Sequence, residues 1–169
     1  VQPLTEQSVE IALRPLGHPL AVAPGQFLLV AFHDGPNYRS CGEFHPFTVS
    51  SVERGDVLRI AVKALGDCTR QMLTMPRGVA ARIIGGFDSV FAHHRAAPQI
   101  WVAGGIGITP FIGLLRAGPV PAPTTLLYLY RHETDAAFLD ELKACAAADP
   151  RLTLQLAATG DALPDLERL

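Results

Sequence analysis

The apolar positions change period partway along the chain. In the first half, Val9, Ile11 and Leu13 alternate with polar or small residues in SVEIALRPL, and QFLLVAF, VLRIAVKAL and ARIIGGF follow as further short apolar runs. Alternation by two puts every second side chain on one face, the pattern of a strand with one side against a core. Turn residues separate the runs: Pro24-Gly25, then Glu53-Arg54-Gly55-Asp56, then Pro76-Arg77-Gly78. A short helical segment, DCTRQMLTM, interrupts them once. Several short strands with one small helix predict an N-terminal antiparallel Greek-key β-barrel.

The second half reads differently. QIWVAG is a buried-strand run, PFIGLLRAG has helical spacing, and TTLLYLY is another continuous apolar run. In DAAFLDELKACAAAD, Phe138, Leu139, Leu142 and Cys145 share one helical face, with Thr134 or Asp135 available as cap. RLTLQLAAT closes the pattern. Strand, helix, strand, helix, strand predicts a parallel α/β nucleotide-binding unit, partial because only three strands are present. The break near residues 96–99 predicts a barrel over 1–97 and the α/β unit over 98–169.

Composition narrows the function classes. The 169 residues are 49% hydrophobic and 18% charged, which is globular rather than disordered. A net charge of −2 with scattered Lys and Arg argues against a nucleic-acid partner. Cys41, Cys68 and Cys145 form no CxxC pair, so no metal site is expected, and His93-His94 reads as an exposed loop. No run of about 18 apolar residues occurs; residues 100–115 come nearest and are broken by glycines and Pro110. The chain opens at Val1 in strand-like sequence, with no signal peptide, as a piece of a longer polypeptide would.

Three stretches carry candidate chemistry. In AGGIGITPF, Gly104, Gly105 and Gly107 permit a tight turn between strand and helix, and Pro110 suits a first helical turn, where no amide donor is required. Bare amides at such a helix start can hold a phosphate, although the glycines also suit a plain βα turn. In VKALGDCT, Gly66 and Thr69 offer amides and a hydroxyl at a second helix start, where Asp67 as N-cap would compete; an ordinary capped helix fits equally. In EFHPFTVSS, strict pleating puts His45 and Phe47 on one face and Thr48 on the other, and Pro46 favours an irregular edge strand.

In order, HPFT, VKALGDCT and GGIGITPF resemble the ferredoxin-NADP reductase superfamily, and the HPFT variant is most similar to its ferric reductase and NADPH oxidase branch. The resemblance implies FAD and NAD(P)H as cofactors, with hydride passing from nicotinamide to flavin and single electrons leaving to an acceptor. It implies that Phe47 packs on the flavin ring, Thr48 hydrogen-bonds near its N5, and His45, beside Pro46, meets the pyrophosphate. Val62 and Lys63 match the strand beside the flavin, and Gly66, Cys68 and Thr69 match the segment that receives the pyrophosphate. Gly104, Gly105, Gly107, Thr109 and Pro110 match the NAD(P)H loop, with Arg131 a candidate for an adenosine-side phosphate. The family's late Cys-Gly-Pro segment is missing, so the α/β unit is expected to be incomplete at its C-terminus. Implied partners are a haem-bearing membrane domain upstream in the same polypeptide, which puts this part on the cytoplasmic side, or a separate redox protein. Two alternatives remain open: a soluble reductase component of an oxygenase, and an FAD-binding regulatory module without turnover.

Overall fold

A computed structural model of the protein describes residues 1–53, 57–89 and 97–160. Part of the expected turn at residues 53–56 and the pair His93-His94 lie outside the described residues. The first unit contains β1 (Gln2–Thr5), β2 (Ser8–Leu13), β3 (Gln26–Phe32), β4 (His45–Glu53), β5 (Val57–Lys63), α1 (Asp67–Met72) and β6 (Ala81–Ser89). Its strands form one antiparallel sheet in the order β1-β2-β5-β4-β3-β6. β3, β4 and β5 are successive neighbours and β2 lies beside β5, which is the expected Greek-key order.

The pleat selects the core. Leu28 pairs with Phe47, Ile11 with Ile60 and Val9 with Val62, and all six point inward into one cluster that α1 closes with Met72. Burying each such side chain contributes about 1.5–3 kcal/mol. β4 turns a corner of this unit. Residues His45 to Thr48 pair with β3, whereas Val49 to Glu53 pair with β5, and the register shifts between Val49 and Ser51. A bulge at the crossing lets one strand serve both neighbours.

The second unit runs β7 (Gln99–Gly104), a 3-10 turn (Gly105–Ile108), α2 (Thr109–Ala117), β8 (Thr124–Tyr130), α3 (Leu139–Ala148) and β9 (Leu152–Ala158). Its sheet is parallel, in the order β7-β8-β9. Trp101, Leu126, Tyr128 and Leu152 pack with Ile112 of α2 and Leu142 of α3. The alternate residues of β7 face away from the helices, and Ile100 and Val102 are 79% and 57% exposed. Among the described residues, no helix is long and apolar enough to cross a membrane.

One boundary departs from expectation. The helix over DAAFLDELKACAAAD begins at Leu139, and neither Thr134 nor Asp135 caps it: a 3-10 turn covers Glu133–Asp135, and Phe138 stands at the N-cap in the left-handed region at φ 62°. Tertiary contacts account for the delay. Ala136, Ala137 and Phe138 are all buried, the Tyr128 hydroxyl donates to the Ala137 carbonyl at 3.3 Å, and the Arg116 guanidinium lies 5.1 Å from the Phe138 ring centroid.

The two units share a tight junction. α2 lies against β4 so closely that a Cβ on Gly113 would sit 2.8 Å from the Val49 carbonyl oxygen. Beside it, Glu10 is only 3% exposed and accepts hydrogen bonds from Ser50 Oγ at 2.7 Å and Arg116 Nη1 at 2.6 Å. Arg116 also donates to both oxygens of Glu141, at 2.6 and 2.8 Å. Burial opposes the charge on Arg116, but the hydrogen bonds from Glu141 and Glu10 outweigh it and raise its pKa. Barrel, α2 and α3 are thereby joined through one guanidinium.

Candidate functional site

The carboxyl ends of β7, β8 and β9 open onto a groove of about 470 Å3. Gly104, Gly105, Leu129, Tyr130, Arg131, Asp135 and Thr159 form its α/β side; Gln7, Lys63, Ala64 and Leu65 form its barrel side. In an open α/β sheet the crevice beyond the strand ends is where ligands bind. Gly105 adopts φ 50°, in the left-handed region, and a Cβ there would sit 3.8 Å from Lys63 Nζ, so bare backbone and a cation meet across the seam. The amides of Thr159 and Gly160 donate to the carbonyls of Tyr130 and Arg131 at 2.8 and 3.0 Å, which holds the turn after β9 against the Arg131 segment. Lys63 and Arg131 against Asp135 give the groove a cationic balance suited to a phosphate-bearing ligand.

Several proposed residues are occupied structurally. Thr109 is buried and its hydroxyl donates to the Ile106 carbonyl at 2.7 Å, while Gly107 lies in the 3-10 turn and Pro110 in the first turn of α2. Gly66 is the N-cap of α1. The Thr69 hydroxyl accepts from the amides of Leu65 and Gly66 at 2.9 and 3.0 Å and donates back to the Gly66 carbonyl at 3.0 Å. Asp67 caps nothing; it pairs with Arg70 at 2.8 Å. The threonine of this second helix start therefore engages the two amides that precede the helix, those of Leu65 and Gly66.

The strand HPFT keeps its pleat up to the bulge. Phe47, 8% exposed, points with Val62 into the barrel core, and His45 lies on the same side, its ring 6.4 Å from that of Phe47. Thr48 stands opposite Phe27 and Pro46 opposite Leu29, on the outer side. Phe47 and Thr48 thus present opposite faces, Phe47 buried and Thr48 half-buried.

A further grouping was not read from the sequence. Cys41, Glu43, His45 and Cys68 each offer a donor atom, all within 4.8 Å of one another, and Cys41 Sγ lies 3.2 Å from His45 Nε2. A hydrogen bond with Cys41, together with burial, raises the Cys68 thiol pKa to about 11. The local signal for it was the Cys-x3-His spacing from Cys41 to His45. Cys68 joins only because α1 folds back beside the start of β4.

Known proteins bear on this geometry. Residues 1–105 match the model of a family described as an FAD-binding domain. The chain is 27% identical over 149 residues to methane monooxygenase component C of Methylosinus trichosporium, covering 84% of this chain and 42% of that one. It is 31% identical over 110 residues to human NADPH oxidase 3, covering 57% and 18% respectively. The flavohem-like FAD/NAD binding domain of nitric oxide dioxygenase from Vibrio cholerae superposes with a TM-score of 0.73 at 21% identity, covering 97% of this chain and 73% of that one. This chain spans less than half the length of the two relatives matched by sequence. A Greek-key barrel joined to a parallel α/β layer, the three ordered motifs and the family match agree: the chain belongs to the FAD-binding domain family, within the ferredoxin-NADP reductase superfamily.

Proposed function

We propose that this chain is the flavin- and nicotinamide-binding part of an FAD-dependent NAD(P)H oxidoreductase of the ferric reductase type. In this reading residues 1–97 hold FAD, residues 98–169 hold NAD(P)H, and electrons pass on singly to haem, ferric iron or another acceptor. Bound FAD would supply the conversion of a two-electron donor into single electrons. The observation that carries the reading is the groove in which Lys63 of the barrel meets Gly104 and Gly105 of the α/β unit. The residues fit the group: backbone without Cβ atoms, two flanking cations and an opening at the strand ends suit a dinucleotide phosphate.

The chain's own residues then divide the work. Lys63 and Arg131 attract and orient phosphates, and Gly104 and Gly105 let the ligand approach the backbone. Thr48 offers a hydroxyl at the corner of β4. Phe47, buried beneath, sets the position of that corner through its packing. His45 and Cys68 lie at the mouth of the barrel beside α1, where a pyrophosphate would be held.

Similarity to the methane monooxygenase component extends over both units, whereas similarity to NADPH oxidase 3 covers 57% of the chain. That favours a second reading of the acceptor, an iron–sulfur or oxygenase partner rather than haem in the same polypeptide. The test is anaerobic titration of the FAD-supplied protein with NADH and NADPH. Bleaching of the flavin band supports the reductase; bound flavin that stays oxidised assigns a regulatory module without turnover; failure to retain FAD overturns both.

A further inference from the structure

We propose that Cys41, His45 and Cys68, with Glu43 as the fourth ligand, form a binding site for a thiophilic divalent cation such as Zn2+. The four donor atoms lie within 4.8 Å of one another, and the Cys41 sulfur and His45 Nε2 are already 3.2 Å apart. Around a tetrahedral Zn2+ with bonds of about 2.0–2.3 Å, ligand atoms stand roughly 3.6 Å apart. Closing the set onto an ion therefore takes side-chain adjustments of about an ångström and no change of fold. Two thiolates, an imidazole and a carboxylate suit Zn2+ and its first-row neighbours, and do not suit Mg2+ or Ca2+, which take oxygen ligands.

The ligands stand on segments that are already fixed. Ser40 donates its amide to Asp34 Oδ1 at 2.9 Å and its hydroxyl to the Phe32 carbonyl, and Gly42, at φ 71°, donates its amide to Ser40 Oγ at 2.8 Å. These bonds fold the loop so that Cys41 turns toward His45. Cys68 is held by the Thr69 bonds at the start of α1, and His45 by the pairing of β4 with β3. None of the three must be ordered when a cation arrives, which removes much of the usual entropic cost of binding.

The site follows from the donor set and does not require the proposed function. It gains a consequence if that reading holds: His45 and Cys68 cannot serve a cation and a pyrophosphate together, so cation and FAD compete. The probe is Co2+, added to the reduced protein in flavin-free and FAD-loaded forms. The flavin-free protein is expected to bind one equivalent, with a thiolate-to-cobalt charge-transfer band and tetrahedral visible bands that Zn2+ abolishes. Cys41→Ser is expected to lose the charge-transfer intensity contributed by one thiolate. It should also weaken the cation by more than the roughly 10–100-fold that loss of a supporting contact costs. Because Cys41 is outside the proposed cofactor contacts, the same variant should bind FAD as the parent does, which also shows that it is folded. No charge-transfer band in the flavin-free protein, or an undiminished band in Cys41→Ser, overturns the cation site. Full Co2+ binding to FAD-loaded protein leaves the cation site standing and overturns the placement of His45 and Cys68 at the pyrophosphate.

Discussion

Arg116 shows how much one side chain can decide here. It sits between Glu10 of the barrel and Glu141 of α3, and Glu10 has almost no access to water. Removing one member of a buried ion pair costs about 3–5 kcal/mol, because the other charge is stranded. Arg59, 3.4 Å away on the second oxygen of Glu10, supplies partial compensation, so the lower end is expected. Arg116→Met should lower unfolding free energy by about 3 kcal/mol in urea titrations, and Arg116→Met with Glu10→Gln should recover part of that loss. The role proposed for Thr48 belongs to the same scale but to chemistry. A hydrogen bond to a group that gains charge is worth about 1.5–3 kcal/mol. Thr48→Ala should therefore slow flavin reduction by NAD(P)H roughly tenfold or more in stopped-flow measurements while FAD affinity changes less. Equal rates in mutant and parent would remove Thr48 from that proposed role. Alternation in SVEIALRPL identified Val9 and Ile11 as core, but could not say that Glu10, on the opposite side of the pleat, is buried as well. That side of the strand is covered where Arg116 of α2 and Ser50 of β4 meet Glu10.

At the scale of elements, α2 and β4 form the junction between the two units. Gly113 permits their approach, since a Cβ would meet backbone rather than a movable side chain. Gly113→Ala raises helix propensity by about 0.5–1 kcal/mol yet forces the packed backbones apart, at a cost of typically 1–3 kcal/mol. The expected result is a net loss of stability with a lower thermal midpoint; a gain would show that the junction is loose. Strands and helices were legible from periodicity nearly throughout: QFLLVAF, QIWVAG, TTLLYLY and RLTLQLAAT each contain the strand that was expected. The late start of α3 was not legible, because burial of Ala136, Ala137 and Phe138 outweighs local helix propensity. The corner in β4 was anticipated only as irregularity at Pro46; the bulge falls later, between Val49 and Ser51, where the strand changes partners.

For the whole molecule, the pH dependence of stability can be stated at both ends. Asp149 is held below its ordinary pKa of 3.8, first by the Arg151 amide and also by the Val120 amide, and Asp34 likewise, first by the Ser40 amide. Depressed carboxyl pKa values contribute stability in full above 3.8 that is lost as pH falls through the folded-state values. Burial raises the Tyr128 hydroxyl from 10 to about 12, which adds stability in full below pH 10 that is lost as pH rises toward 12. Urea midpoints should therefore fall on the acid side below about pH 4 and again on the alkaline side. Asp149→Asn should flatten the first decline and Tyr128→Phe the second. The sequence by itself determined the class of each half, the order of the three motifs and hence the family, because periodicity and local turn chemistry are properties of neighbouring residues. Only the tertiary structure decided that the pleat face of Phe47, and not that of Thr48, is the core side, that Lys63 meets Gly105, that Glu10 is buried, and that Cys41 and Cys68 converge on His45. Each of these depends on which strand lies beside which, and that is set by packing between residues far apart in the chain.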